Sequence, residues 1–85
     1  MGSVMVASIE KREVHVGNII ICRDGVNPYA RGTDDNPYAI GIPRVNALRI
    51  WRDTGKLPDG FRAWDSRAKC DILDVNSIEI IGLRD

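Results

Sequence analysis

Pro43-Arg44-Val45-Asn46-Ala47-Leu48-Arg49-Ile50-Trp51-Arg52-Asp53-Thr54-Gly55-Lys56-Leu57-Pro58 is the stretch on which the reading of this chain turns. Proline suits a first helical position, where its missing N–H costs nothing. Gly55 stands where a left-handed C-cap belongs, and Pro58 follows soon after. These signals predict one amphipathic helix at about residues 44–54. At about 100° per residue, Ala47, Leu48, Ile50 and Trp51 share an arc, with Asn46, Arg49, Arg52 and Asp53 opposite. The first arc reads as a core stripe and the second as a polar face carrying arginines.

Upstream, residues 23–43 break regular structure with Gly25, Gly32, Gly41, Pro28, Pro37 and Pro43. Inside this long loop Asn27-Pro28-Tyr29-Ala30-Arg31-Gly32 recurs as Asn36-Pro37-Tyr38-Ala39-Ile40-Gly41. Asn-Pro opens a turn because proline presets φ and the asparagine side chain can bond the backbone two residues on. Two consecutive turns are expected, each presenting a tyrosine. Tyr29 and Tyr38 either cover the edge of a thin core or serve as paired aromatic anchors on a recognition loop.

The remaining chain reads as short strands. Val4 to Ile9 is rich in β-branched residues, and Glu10 to Glu13 reads as a charged turn. Gly17-Asn18 fits a two-residue hairpin turn. Ile19 to Cys22 is the candidate for a central strand. After the helix, Asp59-Gly60 marks a turn and Phe61 to Trp64 alternates as a strand does. Ala68 to Leu73 forms a further run, Asp74 to Ser77 a corner, and Ile78 to Ile81 a last strand before Gly82. The fold class is therefore α+β: a small curved antiparallel sheet of about five short strands with one helix across it. Its core should hold Ile19, Ile21, Leu48, Trp51, Leu57, Ile72, Ile78 and Ile80.

With 85 residues, 44 % hydrophobic and 28 % charged, the chain reads as a single globular domain over 1–85. No apolar run reaches the ~20 residues of a membrane span. Met1 to Val6 lacks the basic start and apolar stretch of a secretory signal, and Met1-Gly2-Ser3 is given no weight. Cys22 and Cys70 lack CxxC spacing and read as reduced, buried residues of a cytoplasmic protein.

The net charge is zero but unevenly spread. Residues 1–43 sum to −1, residues 44–69 to +4 and residues 70–85 to −3. A balanced total argues against non-specific coating of nucleic acid, while the basic middle remains compatible with a few phosphate contacts. The competing reading is a solvated helix face whose charge partners lie on the acidic carboxyl-terminal stretch.

Catalytic chemistry is poorly served. His15 is the single histidine, set among valines on an expected strand, and no nucleophile elbow or phosphate-cradling glycine loop is present. Cys22, Cys70 and His15 are too scattered for a metal, and the adjacent carboxylates Asp34 and Asp35 point apart. No catalytic residue, metal site or cofactor is expected.

Residues 47–65, from Ala47-Leu48-Arg49-Ile50-Trp51-Arg52 through Gly55-Lys56-Leu57-Pro58 to Phe61-Arg62-Ala63-Trp64-Asp65, resemble a segment of the MerR and excisionase-type winged-helix families. Those families carry leucine-arginine-x-aromatic on a recognition helix, then glycine and leucine-proline, then aromatic-arginine-x-aromatic on a wing. The resemblance implies a β-ribbon turned at Asp59-Gly60. Arg49 and Arg52 would then approach DNA from the helix, Arg62 from the wing, and Asn46 would read bases. The resemblance covers 19 residues, and the place of a preceding helix is taken by Asn36 to Ile42.

The bracketing strands, Val14 to Cys22 and Ile78 to Ile81, look instead like those of an SH3-like partial barrel, a general interaction module. Two functions are thus expected of a non-enzymatic binding protein. One is DNA contact in a regulatory or recombination complex through Arg44, Asn46, Arg49, Arg52, Lys56 and Arg62. The other is protein docking anchored by Tyr29 and Tyr38, as in small phage or mobile-element proteins that bind and inhibit a host machine. Open strand edges also allow a homo-oligomer.

Overall fold

The computed structural model of the chain describes residues 11–32, 36–38 and 41–84. Five strands and one helix follow in order: β1 (Arg12–His15), β2 (Ile19–Arg23), α1 (Arg44–Thr54), β3 (Phe61–Asp65), β4 (Cys70–Ile72) and β5 (Ile78–Ile81). The α+β class is as expected. The expected strand at Val4 to Ile9 and the Asp34-Asp35 pair lie outside the described residues.

The single curved antiparallel sheet is corrected to two sheets that close no barrel. Among the described residues β2, β3 and β4 form an antiparallel sheet with β3 in the middle, so Ile19 to Cys22 flanks the central strand instead of supplying it. β1 and β5 pair in parallel, with Arg12 opposite Ile78 and His15 opposite Ile81. The charged residues Arg12 and Glu13 therefore belong to a strand, not a turn. Gly17-Asn18 is no hairpin turn either. It lies in a 3-10 turn, Val16–Asn18, that redirects the chain from one sheet to the other.

A second 3-10 turn, Val75–Ser77, does the same between β4 and β5. Each corner is capped by the side chain before it: His15 accepts from the Gly17 N–H and Asp74 from the Asn76 N–H. β2 and β4 run in the same sense on either side of β3. The paired corners carry that common sense over into β1 and β5, which explains the parallel pair.

Helix α1 has the predicted bounds. Pro43 is its N-cap rather than its first helical residue, and Gly55 takes the left-handed C-cap with φ 74°. That φ is open to glycine at little cost. Ala47, Leu48 and Trp51 are buried, and Leu48 and Trp51 pack with Val14, Ile19, Ile21, Ala63, Ile72, Val75 and Ile78. Leu57 and Ile80 pack against this cluster from partly buried positions, so they rim the expected core without filling it. Val14 joins it as the inward residue of β1, and Val75 as the first residue of the second corner. Cys70, expected inside, is exposed on β4, while Cys22 is fully buried; neither forms a disulfide. Leu73, expected to extend β4, lies beyond its end with 93 % of its surface exposed.

Candidate interaction surface

Alternation along the strands decides what the three-stranded sheet shows on each side. Ile19 and Ile21 of β2, with Ala63 and Asp65 of β3, are buried toward the helix. Ile20 and Cys22, with Arg62 and Trp64, point the other way. Trp64 lies opposite Ile20 on one side and Asp71 on the other, and Arg62 lies opposite Cys22.

Arg62 is the hub of that outer face. Its Nη1 donates to Asp71 Oδ1 at 2.6 Å and its Nη2 to the Val26 carbonyl at 2.5 Å. The guanidinium also lies 5.7 Å from the centroid of the Trp64 ring. The hydrogen bond to Asp71 is the main cause that raises its pKa further above the ordinary arginine value. Because the pair is partly open to solvent, the ion pair itself is worth under about 1 kcal/mol. Its use is geometric: it holds the guanidinium across β3 and β4, from where Nη2 reaches the Val26 carbonyl of a loop.

That loop, residues 24–32, carries the first Asn-Pro-Tyr turn. Asn27 Oδ1 accepts from the Tyr29 N–H at 2.9 Å, and Ala30 N donates to the Asn27 carbonyl at 3.0 Å. Tyr29 is thereby set against Trp64, with ring centroids 5.9 Å apart and planes at 88°. This is the edge-to-face geometry that aromatic quadrupoles favour. Tyr29 nonetheless keeps 56 % of its surface exposed. The Trp64 indole N–H is buried with no acceptor among the described residues, an arrangement that costs about 1–3 kcal/mol.

The other residues singled out by sequence are dispersed, each on its own anchor. Arg44 Nη1 and Nη2 both donate to the Val16 carbonyl, at 3.4 Å. Arg49 donates through Nε to the Arg84 carbonyl and through Nη1 to Asn46 Oδ1 at 2.5 Å. Asn46 is thus occupied by an arginine of its own helix. Arg52 Nε bonds Asp53 at 3.0 Å. Lys56 is exposed, and its carbonyl accepts from the Tyr38 hydroxyl at 3.0 Å. Tyr38, half-buried, has its hydroxyl pKa raised by burial. The structure therefore brings Tyr29 and Arg62 together on Trp64, joins Tyr38 to the Lys56 carbonyl, and leaves the helix arginines to other parts of the chain. The β-ribbon expected at Asp59-Gly60 is turned instead at 66–69, between β3 and β4. Asp59-Gly60 serves as the entry to β3, where the Gly60 carbonyl accepts from Asp24 N.

Sequence reasoning passed over Trp64 as a surface residue. The signal was present in the period-two run Phe61-Arg62-Ala63-Trp64, which sets Arg62 and Trp64 on the same side.

A second feature is a cleft of about 340 Å³ whose lining includes Arg12, His15, Asp65 and Arg67. Asp65 is buried, yet its pKa is lowered. Burial alone pushes it up. The Ala68 N–H, the Arg12 guanidinium and the Arg67 N–H together outweigh that and favour the charged form. Its Oδ1 accepts from Arg67 N at 2.9 Å and Ala68 N at 3.0 Å, and Oδ2 accepts from Arg12. His15 Nδ1 accepts from Gly17 N at 3.0 Å. Both side chains are thus committed to shaping turns.

Among the described residues no group of His, Cys, Asp and Glu is placed to hold a metal ion, and no helix is long and apolar enough to cross a membrane. Comparison with protein-family models, curated proteins and solved structures finds no match to this chain.

Proposed function

We propose that this chain is a non-enzymatic docking module. Its working surface is the outer face of the three-stranded sheet, centred on Tyr29, Arg62 and Trp64. One observation carries the reading: Tyr29, distant in sequence, meets Trp64 on the face where Arg62 lies over the same tryptophan ring. These are the residue types that dominate binding energy at protein interfaces. Pre-ordering matters as much, because side chains already fixed lose little entropy when a partner arrives. The short strands and long loop act as an SH3-like presenting frame in this reading.

DNA contact is the competing reading, supported by the +4 charge of residues 44–69. It is the weaker one, since Arg49, Arg52 and Arg62 each already bond oxygen atoms of this chain.

Affinity capture with the chain as bait tests the two, run with and without nuclease and over a salt series. A protein partner should survive nuclease and high salt. Tyr29→Ala or Trp64→Ala should each weaken its retention about tenfold or more. Retention abolished by nuclease overturns the docking reading. So does retention that falls linearly with log salt by about one slope unit per phosphate, the slope shrinking in Arg49→Ala and Arg62→Ala.

A further inference from the structure

We propose that residues 24–32 form a lid on the outer face of the sheet, with Arg62 as its pin. The inference rests on the docking reading above: the closed lid presents the ordered Tyr29–Arg62–Trp64 cluster to a partner, and opening exchanges that surface for the strip beneath it. Cys22 supplies the first observation. It points to the outer side of β2, lies outside the main core cluster, and is still fully buried. Its cover therefore comes from the side on which Arg62 and the loop lie.

The loop is built to move as a unit. Its Asn-Pro-Tyr turn is closed from within, by Tyr29 N to Asn27 Oδ1 and Ala30 N to the Asn27 carbonyl, while Val26 N donates to the Arg23 carbonyl at the end of β2. Its stem is fixed by Asp24 N to the Gly60 carbonyl, and beyond Gly25 its tethers to the sheet include the Arg62 bond to the Val26 carbonyl and the Tyr29 edge on Trp64. Gly25 and Gly32 bracket it at φ 81° and 77°, with no atom near either glycine's Cβ position. Such backbone positions absorb rotation without collision.

The closed position also holds a defect that opening repairs. The Trp64 N–H has no acceptor while the face is covered, and an opened lid gives it water or a partner's carbonyl. The pin is a charged side chain partly open to water, so local opening should precede global unfolding. In the opened state the sheet offers Ile20, Cys22 and Trp64 as one strip.

The two cysteines make the lid measurable. In a Cys70→Ser background, Cys22 is the remaining thiol of the chain, and its reaction with a disulfide reagent reports exposure of the covered strip. The expected result is labelling in native buffer at a rate that stays flat at low urea and joins the global unfolding slope only at higher urea. Adding Arg62→Ala should raise the native rate by about tenfold or more. Labelling that follows the global unfolding slope at every urea concentration overturns the lid, as does an unchanged rate in folded Arg62→Ala. If Arg62→Ala does not fold, the urea dependence of the Cys70→Ser protein decides alone. The assay contains no partner, so failure of the lid and failure of the docking reading are separate results.

Discussion

In both Asn-Pro-Tyr segments the asparagine side chain accepts the N–H of the tyrosine two residues on, at 2.9 Å for Asn27 and 3.1 Å for Asn36. Beyond that shared turn the two part. Tyr29 rests its ring against Trp64 and stays more than half exposed, its hydroxyl held by no described bond. Tyr38 is half-buried and its hydroxyl ties the loop to the Lys56 carbonyl, just after α1. Asn36 is also more deeply engaged than Asn27, since its Nδ2 donates to the Ile42 carbonyl. Identical local chemistry has thus produced one brace and one display. The difference comes from what lies opposite each turn: a backbone carbonyl just past the helix for Tyr38, the Trp64 ring of the sheet for Tyr29.

Three measurements break or sharpen this contrast, beginning with the one that sets its scale. Asp65→Ala removes the acceptor of two turn N–H groups and the partner of Arg12, and should cost about 2 kcal/mol in urea unfolding. Neither tyrosine should matter as much. The native pKa of Asp65 is lowered, so its contribution is complete above the ordinary carboxylate range and is lost as pH falls toward the lowered value. Asp65→Asn should flatten that acid limb of the stability curve.

Removing only the hydroxyls comes next. Tyr38→Phe should cost about 1 kcal/mol, whereas Tyr29→Phe should fall within about 0.5 kcal/mol of the parent. The Tyr38 pKa is raised in the folded state, so its contribution is complete below the ordinary tyrosine range and fades as pH climbs through the raised value. Tyr38→Phe should abolish that alkaline loss, and Tyr29→Phe should leave it intact. Equal behaviour of the two variants would erase the distinction between brace and display.

The smallest effect separates the asparagines. Asn27→Ala should cost about 0.5 kcal/mol for one turn bond, and Asn36→Ala about 1 kcal/mol because its amide serves two acceptor–donor contacts. Thermal unfolding of the two variants side by side is sufficient. A reversed order would mean that the second turn draws its stability from elsewhere.

The same contrast explains which features were legible beforehand. Helix α1 was readable to its last residue because its signals are local: a proline before it, a glycine after it, and an apolar arc between. The two Asn-Pro-Tyr turns were readable for the same reason. Gly17-Asn18 misled because a hairpin and a 3-10 corner share turn residues, and only the placement of β5 beside β1 separates them. Arg12 and Glu13 misled because a short exposed strand made of charged residues has no apolar alternation to announce it. Arg44, Arg49 and Arg62 are bonded to groups that no local pattern marks. Their partners, Val16, Val26, Asp71 and Arg84, lie 9 to 36 residues away along the chain and carry no periodic signal.

By itself the sequence determined the helix and its caps, the alternation that sets Arg62 and Trp64 on one side of β3, and the pair of asparagine-closed turns. Each follows from bonds or torsions spanning at most a few residues. Only the tertiary structure decided that β1 runs parallel to β5, that Tyr29 reaches Trp64, and that every arginine from Arg44 to Arg62 is held by oxygen atoms of its own chain. Those outcomes depend on which surfaces meet after collapse. Contact between distant segments is set by the sum of burial and pairing over the whole chain, and no short window of residues contains it.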